Sequence, residues 1–412
     1  MLRDVLRTGG VQLFELGVGL LTLILTARLL GPEGRGLLGA TVVWAGLFAA
    51  CGSLSLDAVV MNRASRGRGD TWFGELFRAI GRLYFALLAL TVVVALVLRA
   101  VARDAVFGNL PDYALASGLA LVPLMLWGRY QQALLLALGK LNLRNRASVL
   151  ASAVSLAGLG LFVWLLGWGV PGALLAQGLA STVSAAVGLG ALLRASRGGG
   201  REPLLPLVLD GAKVHGSAVG HYAYGSVDVV TLNSVAGAAA VGWYQLAMRL
   251  VGVGLALPGA VATVFRSRMG GLAPAESWRR QRLPALLTLA ATLSGGAVAW
   301  LLAPWLVPLL AGDGFAPSVD LFRAFLPILF GRSLELLLVP QIFARGYFLT
   351  GSIIALALAG VSAALFLWLV PAQGLDGAVT AALIAFAALP AAVYIAWTWW
   401  FERDLRRQES AT

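Results

Sequence analysis

Long apolar stretches follow one another along almost the whole chain, and they restrict the fold more than any other feature. A helix that crosses a bilayer needs about 20 mostly apolar residues, and twelve stretches of the chain fit that description. Their approximate ranges are 10–30, 37–62, 79–101, 113–138, 147–168, 170–194, 214–236, 241–265, 284–309, 319–344, 349–371 and 375–400. Only 12% of the residues are charged, roughly half the share found in soluble domains. We therefore predict an all-α, polytopic membrane protein with twelve transmembrane helices.

A tight hairpin is predicted between the first two spans, in the segment 26–40. Pro32 lacks an N–H group and disfavours the α conformation at the residue before it, so the first helix should end at Gly31. Gly34 and Gly36 then give the backbone the freedom that a tight return requires.

The same pattern occurs again in the second half of the chain. Gly237 and Gly242 are five residues apart, as are Gly31 and Gly36 of the first hairpin. The offset between the two copies is 206 residues, half of the chain length of 412. A basic, glycine-rich linker at 196–206 separates the sixth span from the seventh. These features predict two six-helix bundles, residues 1–200 and 201–412, related by a parallel repeat about an axis along the membrane normal.

Two short motifs carry a resemblance to a known family. The stretch Leu30-Gly31-Pro32-Glu33-Gly34-Arg35-Gly36, which follows a first apolar helix, resembles the opening of the Wzx-type polysaccharide and O-antigen flippases. The stretch Val241-Gly242-Trp243-Tyr244-Gln245-Leu246-Ala247 resembles the one that opens their second half. These flippases belong to the multidrug/oligosaccharidyl-lipid/polysaccharide exporter superfamily. The resemblance implies a cationic central cavity and the transfer of polyprenyl-pyrophosphate oligosaccharides from the cytoplasmic to the outer leaflet for polysaccharide biosynthesis.

Basic residues are concentrated in alternate loops and helix ends. The loops and helix ends on one side carry 23 Lys and Arg residues, whereas those on the other side carry 5. Basic loops stay in the cytoplasm during membrane insertion. We therefore expect a multi-pass protein of the bacterial inner membrane with both termini in the cytoplasm.

Three arginines lie deep in the predicted spans, where a charge costs about 3 kcal/mol on insertion scales. Arg129 is about ten residues, or roughly 15 Å, from the basic loop at Lys140, and Arg332 is similarly deep. A guanidinium fork binds phosphate oxygens at two points and stays charged at any relevant pH. We predict that Arg129, Arg249 and Arg332 bind the pyrophosphate of the substrate in a central cavity between the two halves.

Two of these arginines also have a structural interpretation. Asp228 and Arg249 flank the second hairpin at similar distances and can simply pair. Arg332 and Glu335 are three residues apart on one helix and can neutralise each other. Arg129 has no obvious local partner in the sequence, which makes it the strongest ligand candidate.

Three carboxylates in the spans, Glu15, Asp57 and Asp228, are candidates for ion coupling. The alternative is again simple pairing, because Glu15 and Asp57 are close in sequence to Arg7 and Arg63. The sequence does not decide between coupling to protons, to sodium or to the membrane potential.

Metal, cofactor and nucleic-acid functions find little support. The chain has one cysteine, Cys51, and two histidines, too few for a disulfide framework or for most histidine-based metal sites. We predict that one of them, His221, is a buried, hydrogen-bonded residue. The net charge of +12 comes largely from helix ends, so we expect no nucleic-acid partner, no cofactor and no metal.

Three functions compete for this sequence. The first is the flippase, a non-enzymatic transporter that acts as a monomer in the lipid bilayer on lipid-linked oligosaccharide, with glycan polymerase and glycosyltransferases as partners. The second is a drug or cation exporter of the same superfamily, which would require a cavity dominated by carboxylates. The third is a polytopic polysaccharide polymerase or ligase, which would require a large extramembrane loop or a cluster of catalytic carboxylates. The deep arginines favour the flippase.

Overall fold

The computed structural model describes residues 2–65, 72–197, 202–268 and 273–411. Within these ranges the chain is helical apart from short turns, which confirms the all-α prediction. Each of the twelve predicted spans lies on one helix or on two or three consecutive helical segments. The α-helices are α1 (Leu2–Gly52), α2 (Leu56–Ser65), α3 (Trp72–Val101), α4 (Arg103–Phe107), α5 (Asp112–Ala137), α6 (Leu141–Gly158), α7 (Gly169–Ala195), α8 (Leu204–Tyr224), α9 (Val227–Val235), α10 (Gly237–Gly254), α11 (Ala256–Arg268), α12 (Pro274–Ala311), α13 (Pro317–Phe325), α14 (Ile328–Ala344), α15 (Phe348–Ala382) and α16 (Leu389–Ala411). A π-helical segment (Leu159–Leu165) follows α6, a 3-10 turn (Asp313–Phe315) precedes α13, and a second π-helical segment (Leu383–Ala388) joins α15 to α16.

Several spans are interrupted. Among the described residues, six helical stretches are long and apolar enough to cross a membrane, or seven if α10 and α11, which are bent by 45°, count as one span. Gly31 has φ 67° and divides α1 into two arms, so this helix accounts for the first predicted span and most of the second. Gly374, with φ 59°, divides α15 in the same way. Two of the qualifying stretches, Leu16–Gly52 and Leu349–Arg407, each cover all or most of two predicted spans, which accounts for part of the difference from the twelve apolar stretches of the sequence.

The chain forms two compact units, Met1–Gly242 and Trp243–Thr412. In the first unit, α8 packs on α1 and α2, and α9 packs on α1 and α4. These contacts place the segment after the basic linker in the first unit, although the sequence assigns it to the second repeat. The division at residue 200 into two repeats stays a prediction about the sequence.

One helix in each unit packs against at least four other helices and carries a candidate ligand. In the first unit α5 contacts α1, α2, α3, α6 and α7, and in the second unit α14 contacts α11, α12, α15 and α16. Arg129 lies on α5 and Arg332 on α14. The two predicted ligands with the deepest sequence positions are therefore carried by helices that pack against several others in their units.

Glycines with positive φ recur at intervals close to the offset of 206 residues between the two hairpin copies. Four pairs of them are separated by 204 to 207 residues: Gly31 and Gly237, Gly108 and Gly312, Gly139 and Gly346, Gly167 and Gly374. The corresponding backbone hydrogen bonds agree, because Lys140 N–H donates to the Leu135 carbonyl at 2.8 Å and Tyr347 N–H donates to the Ile342 carbonyl at 3.1 Å. The chain therefore turns in the same manner at points that the predicted repeat places in correspondence.

The two hairpin copies cross each other within the first unit. A Cβ atom on Gly36 would collide with the carbonyl oxygen of Ala238, and a Cβ atom on Gly242 would collide with the carbonyl oxygen of Pro32. Pro32 and Ala238 are themselves 206 residues apart. The crossing is therefore reciprocal, with each hairpin placing its glycine against the corresponding carbonyl of the other copy.

Ion pairs gather several basic segments at one end of the first unit. Arg63 Nη1 lies 2.8 Å from Glu202 Oε1, and its Nη2 lies 3.4 Å from Asp210 Oδ2. Arg82 donates to the Glu202 carbonyl oxygen at 3.1 Å, and the hydrogen bond from Lys213 lowers the pKa of Asp210. The end of α2, the first part of α3 and the start of α8 thus lie together, as expected for segments on one side of a membrane.

The hairpin crossing gives a first prediction. We expect Gly36→Ala and Gly242→Ala each to destabilise the protein by about 1–3 kcal/mol, the usual cost of forcing an extra carbon into a packed contact. At Gly81 a Cβ atom would have no other atom within 4 Å. The stability of Gly81→Ala should therefore equal or slightly exceed that of the wild type. Thermal denaturation in detergent, followed by fluorescence-detected size exclusion, measures the three variants. Equal midpoints for Gly36→Ala and Gly81→Ala would contradict the crossing.

Candidate functional site

The first unit contains a strained turn between α1 and α2. Leu54 and Ser55 have φ values of 47° and 48°, in the left-handed region that non-glycine residues rarely adopt. Such a conformation costs roughly 1–2 kcal/mol per residue and persists only where surrounding contacts enforce it. The turn interrupts the second predicted span and sets the direction of α2.

Hydrogen bonds from two other helices hold this turn. The hydroxyl of Tyr130, on α5, donates to the Ser53 carbonyl oxygen at 2.7 Å, and the side chain of Tyr130 is fully buried. Ser55 N–H donates to Ser53 Oγ at 3.2 Å, and Ser55 Oγ lies 3.1 Å from His215 Nδ1 on α8. The turn is therefore connected to α5 and α8 in addition to its own helices.

The burial pattern of α5 determines where Arg129 lies. Leu126, Tyr130 and Leu134 follow one another at intervals of four residues, and all three are fully buried in the hydrophobic core of the unit. An α-helix turns by about 100° per residue, so Arg129 lies beside this buried stripe and not within it. Its side chain is 31% exposed.

Asp57 approaches Arg129 from α2. It lies in the first turn of α2, where the positive end of the helix dipole favours a carboxylate. Its Oδ2 is 4.0 Å from Arg129 Nη2, and its side chain is 33% exposed. Asp57 Oδ1 and Arg129 Nε are both shielded and have no hydrogen-bond partner among the described residues. The pair is an ionic contact that leaves hydrogen-bonding capacity unused on both sides.

The suggested pairing of Asp57 with Arg63 is wrong. The guanidinium of Arg63 faces Glu202 and Asp210 instead. Arg129, which has no obvious partner within its own helix, meets a carboxylate 72 residues earlier in the chain. The strained turn redirects α2 toward α5, and local spacing in the sequence does not reveal such a change of direction.

In the second unit, Arg332 has a carboxylate partner on its own helix. Arg332 Nη1 lies 2.8 Å from Glu335 Oε2, which is the neutralising pair that the spacing of three residues suggested. The preceding Gly331 packs so closely that a Cβ atom would collide with the Ala387 carbonyl oxygen in the second π-helical segment. Tight packing against α14 thus fixes the position of this pair. The third predicted ligand, Arg249 on α10, has an exposed side chain.

The remaining candidates have different surroundings. Asp228 is buried, and one of its carboxylate oxygens accepts a hydrogen bond from the N–H of Val229 at 2.7 Å. Asp228 and Arg249 belong to different units, and their pairing stays a prediction. The side chain of Glu15 lies outside the described part of the structure. His221 is exposed, so the prediction of a buried, hydrogen-bonded histidine is wrong.

The structure adds Tyr130, Ser53 and Ser55 to the residues that the sequence singled out. Their signals were weak: a tyrosine beside a deep arginine, and a Gly-Ser-Leu-Ser sequence within an apolar stretch. Among the described residues, no group of three His, Cys, Asp or Glu side chains is arranged to hold a metal ion. The chemistry available at the site is that of a guanidinium, a carboxylate and buried hydroxyl groups.

Solved structures share this architecture over nearly the whole chain. An inward-facing multidrug-resistance MATE family transporter of the MOP superfamily gives a TM-score of 0.74 at 17% identity, covering 96% of this chain and 95% of that one. The lipid II flippase MurJ, in its inward closed conformation, gives 0.72 at 13% identity, covering 95% and 86%. A MOP superfamily transporter from Pyrococcus furiosus, described as having a binding pocket of reverse polarity, gives 0.60 at 16% identity, covering 97% and 95%. The chain therefore has the fold of the MOP superfamily transporters, in a multi-pass membrane protein.

A family match in sequence adds to this likeness in fold. The profile of the polysaccharide biosynthesis protein family matches residues 1–265, which include the strained turn and Arg129. The chain belongs to this family, which confirms the resemblance noted in the two hairpin motifs. No curated protein matches it in sequence.

The support of the turn by Tyr130 is open to a direct test. We expect Tyr130→Phe to destabilise the protein by about 1 kcal/mol, the net contribution of a typical hydrogen bond, and to increase the mobility of the turn. Tyr113→Phe, at a side chain that is 44% exposed, is the matched control and should behave as the wild type. Hydrogen exchange of the backbone at residues 52–58 reports the turn itself. Unchanged exchange in Tyr130→Phe would show that the turn does not depend on this hydroxyl.

Proposed function

We propose that this protein is a flippase that moves a lipid-linked oligosaccharide, carried on a polyprenyl pyrophosphate, from the cytoplasmic to the outer leaflet for polysaccharide biosynthesis. The observation that carries the proposal is the guanidinium of Arg129. It lies on α5, is charged and partly exposed, and has a shielded Nε without a hydrogen-bond partner among the described residues. Membership of the polysaccharide biosynthesis family supports a cargo of this class.

The chemistry of Arg129 suits a pyrophosphate better than any uncharged part of the cargo. A guanidinium donates two parallel hydrogen bonds to a phosphate and keeps its charge in a low-dielectric environment. Arg332 is already hydrogen-bonded to Glu335, which makes it a secondary ligand together with the exposed Arg249. Arg129 is accordingly the main contact for the pyrophosphate of the cargo. The remaining contacts of the protein are made with the sugars.

A drug or cation exporter is the second candidate. The partial exposure of Asp57 favours it, because a carboxylate can bind a cationic compound. The multidrug-resistance transporter with the same fold shows that this architecture accommodates such a function. A polymerase or ligase is the weaker alternative. The two leading candidates place opposite charges in contact with the cargo, so substitutions at Arg129 distinguish them.

The flippase proposal predicts the behaviour of Arg129 variants. Arg129→Ala should reduce transport of lipid-linked oligosaccharide by about 100-fold or more, because a charge-assisted, two-point contact is lost. Arg129→Lys should keep part of the activity, since lysine retains the charge without the fork. Leaflet-resolved labelling of the oligosaccharide in proteoliposomes measures the rates, with the exposed Arg146→Ala as a control. Normal transport by Arg129→Ala would refute the assignment, and export of cationic dyes without glycolipid transport would favour the drug exporter.

We further propose that the protein lies in the bacterial inner membrane with both termini in the cytoplasm, and that it works as a monomer alongside a glycan polymerase and glycosyltransferases. The bias of 23 basic residues against 5 supports the orientation. Clustering of basic segments around Arg63, Arg82 and Glu202 adds support from the fold.

Cysteine accessibility tests the orientation. The native Cys51 is exposed, so the background is Cys51→Ala. An impermeant thiol reagent applied to intact cells should label Asp313→Cys and leave Lys140→Cys unlabelled, although both positions are exposed. Lysed cells, in which both positions should react, are the control. Labelling of Lys140→Cys in intact cells would reverse the proposed orientation.

A further inference from the structure

The contact between Asp57 and Arg129 differs from the other ion pairs that the structure gives to deep or semi-buried arginines. Arg63 and Glu202 approach to 2.8 Å, as do Arg332 and Glu335. Asp57 and Arg129 remain 4.0 Å apart, beyond hydrogen-bond distance. Asp57 therefore compensates the charge of Arg129, but the two side chains do not form a direct hydrogen bond.

Each partner also retains an unused polar atom. Asp57 Oδ1 and Arg129 Nε are shielded from solvent and have no hydrogen-bond partner among the described residues. Shielded polar atoms without partners are costly, and proteins usually satisfy them. This ion pair keeps two such atoms. The guanidinium of Arg129 can therefore gain hydrogen bonds by exchanging Asp57 for a ligand that approaches more closely.

The position of Asp57 does not depend on Arg129. The strained turn at Leu54 and Ser55 precedes Asp57, and the hydroxyl of Tyr130 holds this turn through the Ser53 carbonyl. Leu56, the neighbour of Asp57, is fully buried in the core. Asp57 can therefore give up its contact with Arg129 without releasing α2 from the bundle.

We propose that Asp57 is the internal counter-ion of Arg129, which neutralises the guanidinium while the site is empty and gives it up to the phosphate of the cargo. The inference rests on the proposed function and deepens it. A phosphate offers the guanidinium two short hydrogen bonds, which Asp57 at its present distance does not. Because the phosphate and Asp57 are both negatively charged, binding of the cargo weakens the contact between Asp57 and Arg129.

This exchange has a consequence for the transport cycle. With Asp57 close by, the charge of Arg129 is compensated in the empty site, and the return through the low-dielectric interior costs less than it would with an unpaired guanidinium. Without the carboxylate, the returning site carries an uncompensated guanidinium. Asp57 thus lowers the affinity for the cargo and raises the rate at which the empty site returns.

The test combines binding and transport. Farnesyl pyrophosphate is the probe, with farnesol as the uncharged control, and binding is measured by calorimetry on protein in nanodiscs. Asp57→Asn should bind farnesyl pyrophosphate about tenfold more tightly than wild type, because a like charge beside the ligand is removed. Its turnover with lipid-linked oligosaccharide should fall. Asp57→Glu, which keeps the charge, should bind as the wild type does.

Two controls separate this role from a structural one. Asp112→Asn removes a carboxylate that contacts two other arginines, Arg99 and Arg103, and should leave affinity unchanged. Asp57→Asn combined with Arg129→Gln should lose the gain in affinity, since Asp57 acts through Arg129. If wild type fails to bind the pyrophosphate, the proposed function fails and the inference fails with it. If wild type binds it and Asp57→Asn binds equally or more weakly, only the counter-ion role of Asp57 is overturned.

Discussion

The hydrocarbon core of a bilayer offers no water to backbone N–H and C=O groups, and this constraint governs the arrangement of the whole chain. A helix satisfies these groups internally, so each break in a membrane helix must be compensated by the surrounding protein. Several spans of this chain are interrupted, and the break between α1 and α2 lies beside Asp57 and Arg129. At the break between α1 and α2, the Ser53 carbonyl oxygen accepts two hydrogen bonds, one from Leu56 N–H at 3.2 Å and one from the Tyr130 hydroxyl at 2.7 Å.

The same constraint links the strained turn to the charges beside it. A carboxylate and a guanidinium in an apolar bundle are unfavourable singly and become tolerable when they are close together. The turn brings Asp57 to Arg129, and the buried stripe of α5 keeps Arg129 at the edge of the core. Backbone strain, packing of α5 and charge compensation are therefore parts of one arrangement, and a substitution at Tyr130 affects all three.

Features that depend on composition and local spacing could be predicted from the sequence. The apolar stretches give the helices, Gly31 followed by Pro32 gives the break within α1, and the three-residue interval between Arg332 and Glu335 gives their ion pair. The partner of Arg129 could not be predicted, because it depends on a change of helix direction at Leu54 and Ser55. Neither residue is a glycine, so the sequence carries no strong signal of a left-handed conformation there. The exposure of His221 depends in the same way on how helices pack, which single-sequence periodicity does not specify.

The reciprocal crossing of the hairpins bears on how such a chain can have arisen. Gly36 meets the carbonyl of Ala238, and Gly242 meets the carbonyl of Pro32, its counterpart in the other copy. A half-length polypeptide with a single hairpin could form this crossing only with a second molecule, across a twofold axis on which both molecules use the same surface. Gene duplication and fusion would convert that intermolecular contact into an internal one. The two copies could then diverge wherever they do not touch, while the two glycines remain bound by a common steric requirement.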